Sequence, residues 1–193
     1  MSATQKIRRE EVTELNAYDR EREQRLQEVI ALKNLRRVAL GDRVSLAFEN
    51  RATVLFQIQE MLRAERILEE PRILEELEVY SELLPGGGEL SATLFIEITA
   101  PDRVEQDLNS LLGIEECLWM EISEGLRLQA WFEPGHSRDD RISAVHYVRF
   151  RLSEAQRDAF RAGEPVVLTL DHPRYHARTP LTQAQQAELT QDL

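Results

Sequence analysis

The stretch Val38-Ala39-Leu40-Gly41-Asp42-Arg43-Val44-Ser45-Leu46-Ala47-Phe48 decides the fold class. Val38 and Leu40 precede a Gly41-Asp42 pair, and Val44, Leu46 and Phe48 alternate after it. That pattern predicts a β-hairpin, because glycine tolerates the positive φ of a tight turn. Phe48-Glu49-Asn50 ends the second strand, and Asn50 or Thr53 supplies an N-cap for the next helix. Over 53–68 the period changes to helical, with Val54, Ile58, Met61 and Leu68 on one stripe and Leu55 and Leu62 beside it. A strand pair running directly into a helix points to a mixed fold.

On the N-terminal side, 6–37 reads as a helix dense in charge. Leu15, Tyr18, Leu26, Val29, Ile30 and Leu35 make only a thin apolar stripe, so this helix is expected to project from the body or pack on a partner helix. The expected division is therefore a charged helical arm, 1–37, and a single α+β domain, 38–193. On the other side, Pro71 interrupts the helical pattern, and 73–84 forms a second helix among many glutamates. Pro85-Gly86-Gly87-Gly88 lacks the lysine and Ser/Thr of a phosphate-binding loop. Strands dominate afterwards: 90–99, 117–123, 126–133, 144–152 and 165–171, with a polar loop at 134–142. Helices are predicted at 101–112, 153–162 and 181–189, the last with Thr182 and Gln185 spaced as a capping box. The fold class expected is α+β, with N-terminal helices and a β-hairpin followed by a mainly antiparallel sheet with inserted helices.

Composition narrows the function classes. Among 193 residues, 24 Lys and Arg against 35 Asp and Glu leave a net charge of −11. That balance opposes a nucleic-acid-binding surface. No apolar run approaches the roughly 20 residues of a membrane span, and no secretory leader pattern opens the chain, so a cytoplasmic protein is expected. The single cysteine, Cys117, excludes an internal disulfide. Its neighbours Glu115 and Glu116 oppose thiolate formation and with it a nucleophilic role.

Three polar residues interrupt apolar faces. Glu65 continues the 54, 58, 61, 68 stripe; His146 lies within Ala144-His146-Val148-Phe150-Leu152; His172 extends Val166-Leu168-Leu170 by one step. Each has a structural explanation. Glu65 would pair with Arg63, Arg66 or Arg149, His146 would bond a backbone carbonyl, and His172 would fix the turn before Pro173. The alternative is convergence on a metal, since two histidines and a carboxylate suit non-haem iron or an open zinc site. His176 and Asp171 would add ligands, although Pro173 rules out the helical spacing that makes a four-apart histidine pair diagnostic.

Four blocks carry a family likeness: Phe48-Glu49-Asn50, Gln57-Ile58-Gln59-Glu60-Met61-Leu62-Arg63-Ala64-Glu65-Arg66, Ala92-Thr93-Leu94-Phe95-Ile96-Glu97, and Asp171-His172-Pro173-Arg174-Tyr175. Through them the chain resembles, over nearly its whole length, a bacterial domain-of-unknown-function family, number thirty-five hundred and one. The family has no established activity. Its members are commonly encoded beside rubrerythrin and an iron–sulfur oxidoreductase of the heterodisulfide-reductase type. The resemblance therefore implies an accessory or interaction protein near peroxide defence and oxidative stress, with rubrerythrin or the oxidoreductase as partner. It adds Glu60, Arg63, Asp171 and Tyr175 as candidate site residues. The competing expectation is a small metalloprotein or enzyme holding iron or zinc through Glu65, His146, His172 and His176.

Overall fold

The computed structural model describes residues 6–98, 101–135, 137–138 and 141–193. Helix α1 (Leu15–Arg36) leads into the expected hairpin, β1 (Arg37–Leu40) and β2 (Val44–Glu49), then α2 (Arg51–Ala64), α3 (Glu70–Ser81) and β3 (Glu89–Ile96). The short α4 (Val104–Asn109) precedes β4 (Leu118–Ile122), β5 (Leu126–Gln129), β6 (Trp131–Phe132), β7 (Ser137–Arg138), β8 (Arg141–Ile142) and β9 (Val145–Arg151). Helix α5 (Glu154–Arg161), the hairpin β10 (Val166–His172) and β11 (Tyr175–Pro180), and α6 (Gln183–Leu189) complete the chain. The α+β reading holds, and all the strand pairing among the described residues is antiparallel.

The strands form two main sheets, β1-β2-β3-β9-β6 and β11-β10-β4-β5, while β7 and β8 form a small ladder inside the stretch expected as loop. The expected strand 126–133 is broken at Ala130, where the chain leaves the second sheet as β5 and enters the first as β6. At the opposite edge, Thr179 Oγ1 donates to Ala39 O (2.8 Å) and Gln185 Nε2 to Arg37 O (2.8 Å), so side chains cover the open carbonyls of β1.

Alternation fixes what lies between the sheets. Leu46, Phe48, Leu94 and Phe150 face Leu118, Met120, Leu168 and Leu170 in one core. The other face of the first sheet carries a second core built by α2, α3 and the segment before α1. Val54, Ile58 and Leu62 pack there with Ile73, Leu77, Ile7 and Val12, and Tyr147 reaches in from β9. Burying a side chain of this size is worth about 1.5–3 kcal/mol, which holds the helical layer on the sheet.

Helix α1 keeps a solvated outer side but is anchored at both ends. Tyr18 is fully buried against α2. Arg36 is 1% exposed and donates to Phe48 O (2.9 Å) and Glu49 O (3.1 Å), and it also pairs with Glu188 (3.0 Å) and Asp192. The segment expected as an arm thus ties the chain's beginning to its C-terminal helix.

Candidate functional site

Helix α2 ends at Ala64, earlier than the 53–68 pattern predicts. Arg66 takes φ +52°, Ile67 N donates to Leu62 O (2.9 Å) and Arg66 N to Arg63 O (3.3 Å). This is a Schellman stop, with Ile67 and Leu62 in apolar contact across it. Glu65 becomes the C-cap and its side chain points to water, 53% exposed, with Arg72 loosely paired at 3.9 Å. The expectation of Glu65 on a buried face is corrected: the stripe ends before it.

The two histidines are buried, each committed to the main chain. His146 Nε2 donates to Ser143 O (2.9 Å), and its ring meets Phe132 edge-on with centroids 5.7 Å apart. His172 Nδ1 accepts from Arg174 N (3.2 Å), which leaves Nε2–H to donate to Leu112 O (2.9 Å). These are the structural roles expected of them. His176 is exposed and lies 2.8 Å from Asp171 across the β10–β11 hairpin. Glu65 sits by the helical layer, His146 in the first sheet and His172 in the second, so the two-histidine, one-carboxylate set does not assemble. Among the described residues no group of three or more His, Cys, Asp or Glu side chains could hold a metal ion.

The remaining members of the four blocks also grip neighbouring elements. Gln59 exchanges two bonds with the Thr13 backbone, both 2.9 Å. Glu60 accepts from Tyr18 Oη (2.7 Å) and is held bidentately by Arg22 (2.9 and 2.7 Å); the Arg22 guanidinium keeps the carboxyl below its ordinary pKa, while burial pushes the Tyr18 phenol up. Arg63 pairs with Asp19 (2.7 Å). The polar side of α2 thus clamps α1, the N-terminal segment and the sheet together. Tyr175 Oη donates to Leu40 O (2.6 Å) and accepts from Arg43 N (3.0 Å), locking the second sheet to the β1–β2 turn.

The most deeply buried acid among the described residues belongs to the Phe48-Glu49-Asn50 block. Glu49 is 2% exposed beneath α2 and accepts from Thr53 Oγ1 (2.5 Å), Thr93 Oγ1 (2.8 Å) and, at a long 3.4 Å, Gln57 Nε2. Its signal is the polar alternation Ser45, Glu49 on the outer face of β2, which becomes interior once α2 covers it. At Cys117, burial first and then Glu116, Asp171 and Glu115 push the thiol up, as the neighbouring carboxylates predict. A hollow of about 570 Å³ at the β4–β5 turn contains Arg127 and Arg178, and Glu121 engages both, at 3.6 and 3.2 Å.

The surface departs from ordinary patterning at α3. Leu68 (66% exposed), Leu74 (48%) and Val79 (62%) stand out into water on and just before this helix. Around them, residues 65–82 carry seven glutamates against Arg66 and Arg72. Singly exposed apolar side chains are ordinary at a protein surface; here three fall within one short stretch dense in carboxylates.

The family model for Protein of unknown function (DUF3501) matches residues 6–193. The chain belongs to the DUF3501 family. A crystal structure from Burkholderia pseudomallei, described as a novel protein of unknown function, is 33% identical to this DUF3501 chain. The match covers 98% of this chain and 100% of that one, with a TM-score of 0.91. No curated protein matches this DUF3501 chain significantly. Among its described residues no helix is long and apolar enough to cross a membrane.

Proposed function

We propose that this DUF3501 protein is a non-enzymatic accessory that works by docking a partner from an iron-dependent redox or peroxide-defence system in the cytoplasm. The observation that carries the reading is the exposed Leu68, Leu74 and Val79 inside the acidic surface of α3. The polar residues of the four blocks support it, because they are engaged in joining helices and sheets rather than gathered around one open point. Rubrerythrin and the iron–sulfur oxidoreductase are the partners that the family resemblance implies. A net charge of −11 steers a basic surface towards the protein and makes the encounter salt-sensitive.

The test is direct association of the purified full chain with purified rubrerythrin and with the oxidoreductase, by sedimentation velocity at low and high salt. A complex with one of them that weakens with salt is the expected result. No association with either, at either salt, refutes the assignment to these partners.

A further inference from the structure

Helix α3 presents an ordered arrangement of charge and apolar surface. At 100° per residue, Leu74, Glu78, Glu82, Glu75 and Val79 succeed one another across an arc of about 140°. Two apolar side chains therefore flank a row of three carboxylates, and Ile73 and Leu77 turn inwards on the opposite side. The C-terminal end of the helix opens on a cleft of about 370 Å³ lined by Lys6, Glu78, Ser81, Glu82, Trp131, Glu133 and Arg149.

The chemistry of this cleft favours a cation. Glu82 and Glu133 form no ion pair among the described residues, whereas Arg149, which lines the cleft, is committed to Glu89 and to the carbonyls of Glu82 and Leu84. Trp131 is 39% exposed and already holds the Arg151 guanidinium 4.8 Å from its ring centroid, so the indole is used as a cation platform. The chain's own Lys6 ammonium lies 2.6 Å from Glu78 at the cleft wall, with both side chains about two-thirds exposed. The site therefore carries an intramolecular example of the group it suits. A second copy of the same face would set glutamates against glutamates, so charge selects a partner of opposite sign.

We propose that the outer face of α3 and the adjoining cleft form a docking site for a basic amphipathic helix of a partner protein. One lysine or arginine of that helix enters the cleft against Trp131, Glu82 and Glu133. Its apolar side chains cover Leu74 and Val79, and its remaining cations meet Glu75 and Glu78. In such a contact a few apolar anchors give affinity and the flanking charges give orientation. The proposal rests on the accessory reading above and names the surface and the partner chemistry.

The experiment titrates the full chain into a labelled 18-residue Leu/Lys peptide built as an amphipathic helix, beside its sequence-scrambled isomer, with circular dichroism confirming that each variant folds. The ordered peptide is expected to bind at least about tenfold more tightly than the scrambled one. Leu74→Ser/Val79→Ser and Glu78→Gln/Glu82→Gln/Glu133→Gln should each weaken binding by about tenfold or more. The charge-matched Glu154→Gln/Asp158→Asn/Glu164→Gln, placed around α5, should stay within about twofold of wild type, since the bulk charge term alone is small at physiological salt. Lys6→Ala, which frees Glu78, should bind at least as tightly as wild type. Equal binding of the scrambled peptide, or equal loss in the α5 variant, shows attraction to bulk charge only and overturns the proposal. Intact peptide binding without capture of rubrerythrin or the oxidoreductase counts against those partners alone. Partner capture that survives the α3 variants overturns the docking site alone.

Discussion

Gly41 and Tyr175 offer a quantitative test of the claim that the Asp171–Tyr175 block is architectural. A Cβ at residue 41 would lie 2.3 Å from Tyr175 Oη and 3.0 Å from its ring carbon, and φ there is +75°. Gly41→Ala therefore carries about 1 kcal/mol of left-handed backbone strain. It also displaces a hydroxyl that donates to Leu40 O at 2.6 Å and accepts from Arg43 N at 3.0 Å, at about 1 kcal/mol for each bond. The sum is about 3 kcal/mol, or a fall in Tm of about 6–12 °C for a chain of this length. Tyr175→Phe alone removes the two bonds and keeps the ring under Arg43, costing about 2 kcal/mol. In the Phe background, Gly41→Ala no longer meets an oxygen, so mainly the strain remains. The double variant should lose about 3 kcal/mol rather than the additive 5, a coupling of about 2 kcal/mol measurable in a urea-denaturation cycle. Additivity within about 0.5 kcal/mol would show that the hydroxyl and the turn do not support each other, and the block would again need a functional explanation.

The geometry fixes three further outcomes. His172→Ala should cost about 2 kcal/mol by orphaning Leu112 O and Arg174 N, with metal content by mass spectrometry unchanged from wild type; metal lost only in the variant would restore the ligand role. Arg36→Met should destabilise by about 3 kcal/mol, because it leaves the partly buried Glu188 and Asp192 carboxylates without their cation and the carbonyls of Phe48 and Glu49 without their donor; a chemical-denaturation loss under about 1 kcal/mol would contradict that. Glu11 is held at about 2 by Arg51, below the ordinary carboxylate value. Its stabilising contribution is therefore full above about pH 4.5 and disappears as pH falls towards 2. For a pair this close to solvent the contribution is about 1 kcal/mol, so wild type and Glu11→Gln should differ by that amount at pH 6 and converge near pH 2 in urea midpoints.

Local chemistry makes much of the fold legible. The β1–β2 hairpin, the Asn50 cap of α2 and the Thr182–Gln185 box of α6 all appear where short-range rules place them. Strand β11 escapes those rules because its residues, Tyr175 to Pro180, alternate between exposed and half-buried after Tyr175 and so lack an apolar period. The separation into two sheets is invisible for a different reason: alternation says which side of a strand is buried but not which sheet the strand joins. Only at Ala130, buried between two strands of different sheets, does the chain reveal the crossing. Glu65 misleads because a periodic stripe continues on paper past the point where Arg66 turns the backbone.

The polar residues on the apolar faces of this chain are engaged within the fold. A buried histidine or glutamate is costly only while unpaired, and His146, His172 and Glu49 each find donors or acceptors within their own or adjoining elements. Their burial fixes turns and layers. The break that no internal contact resolves runs the other way, with apolar side chains left in water at Leu68, Leu74 and Val79. In α3, whose opposite face is already packed through Ile73 and Leu77, Leu74 and Val79 leave apolar area in water. Conversion of Leu74 and Val79 to serine should therefore leave the thermal midpoint within about 2 °C of wild type while weakening partner or peptide binding by about tenfold or more. A surface that can be changed without loss of stability but not without loss of association is what separates a docking face from a core.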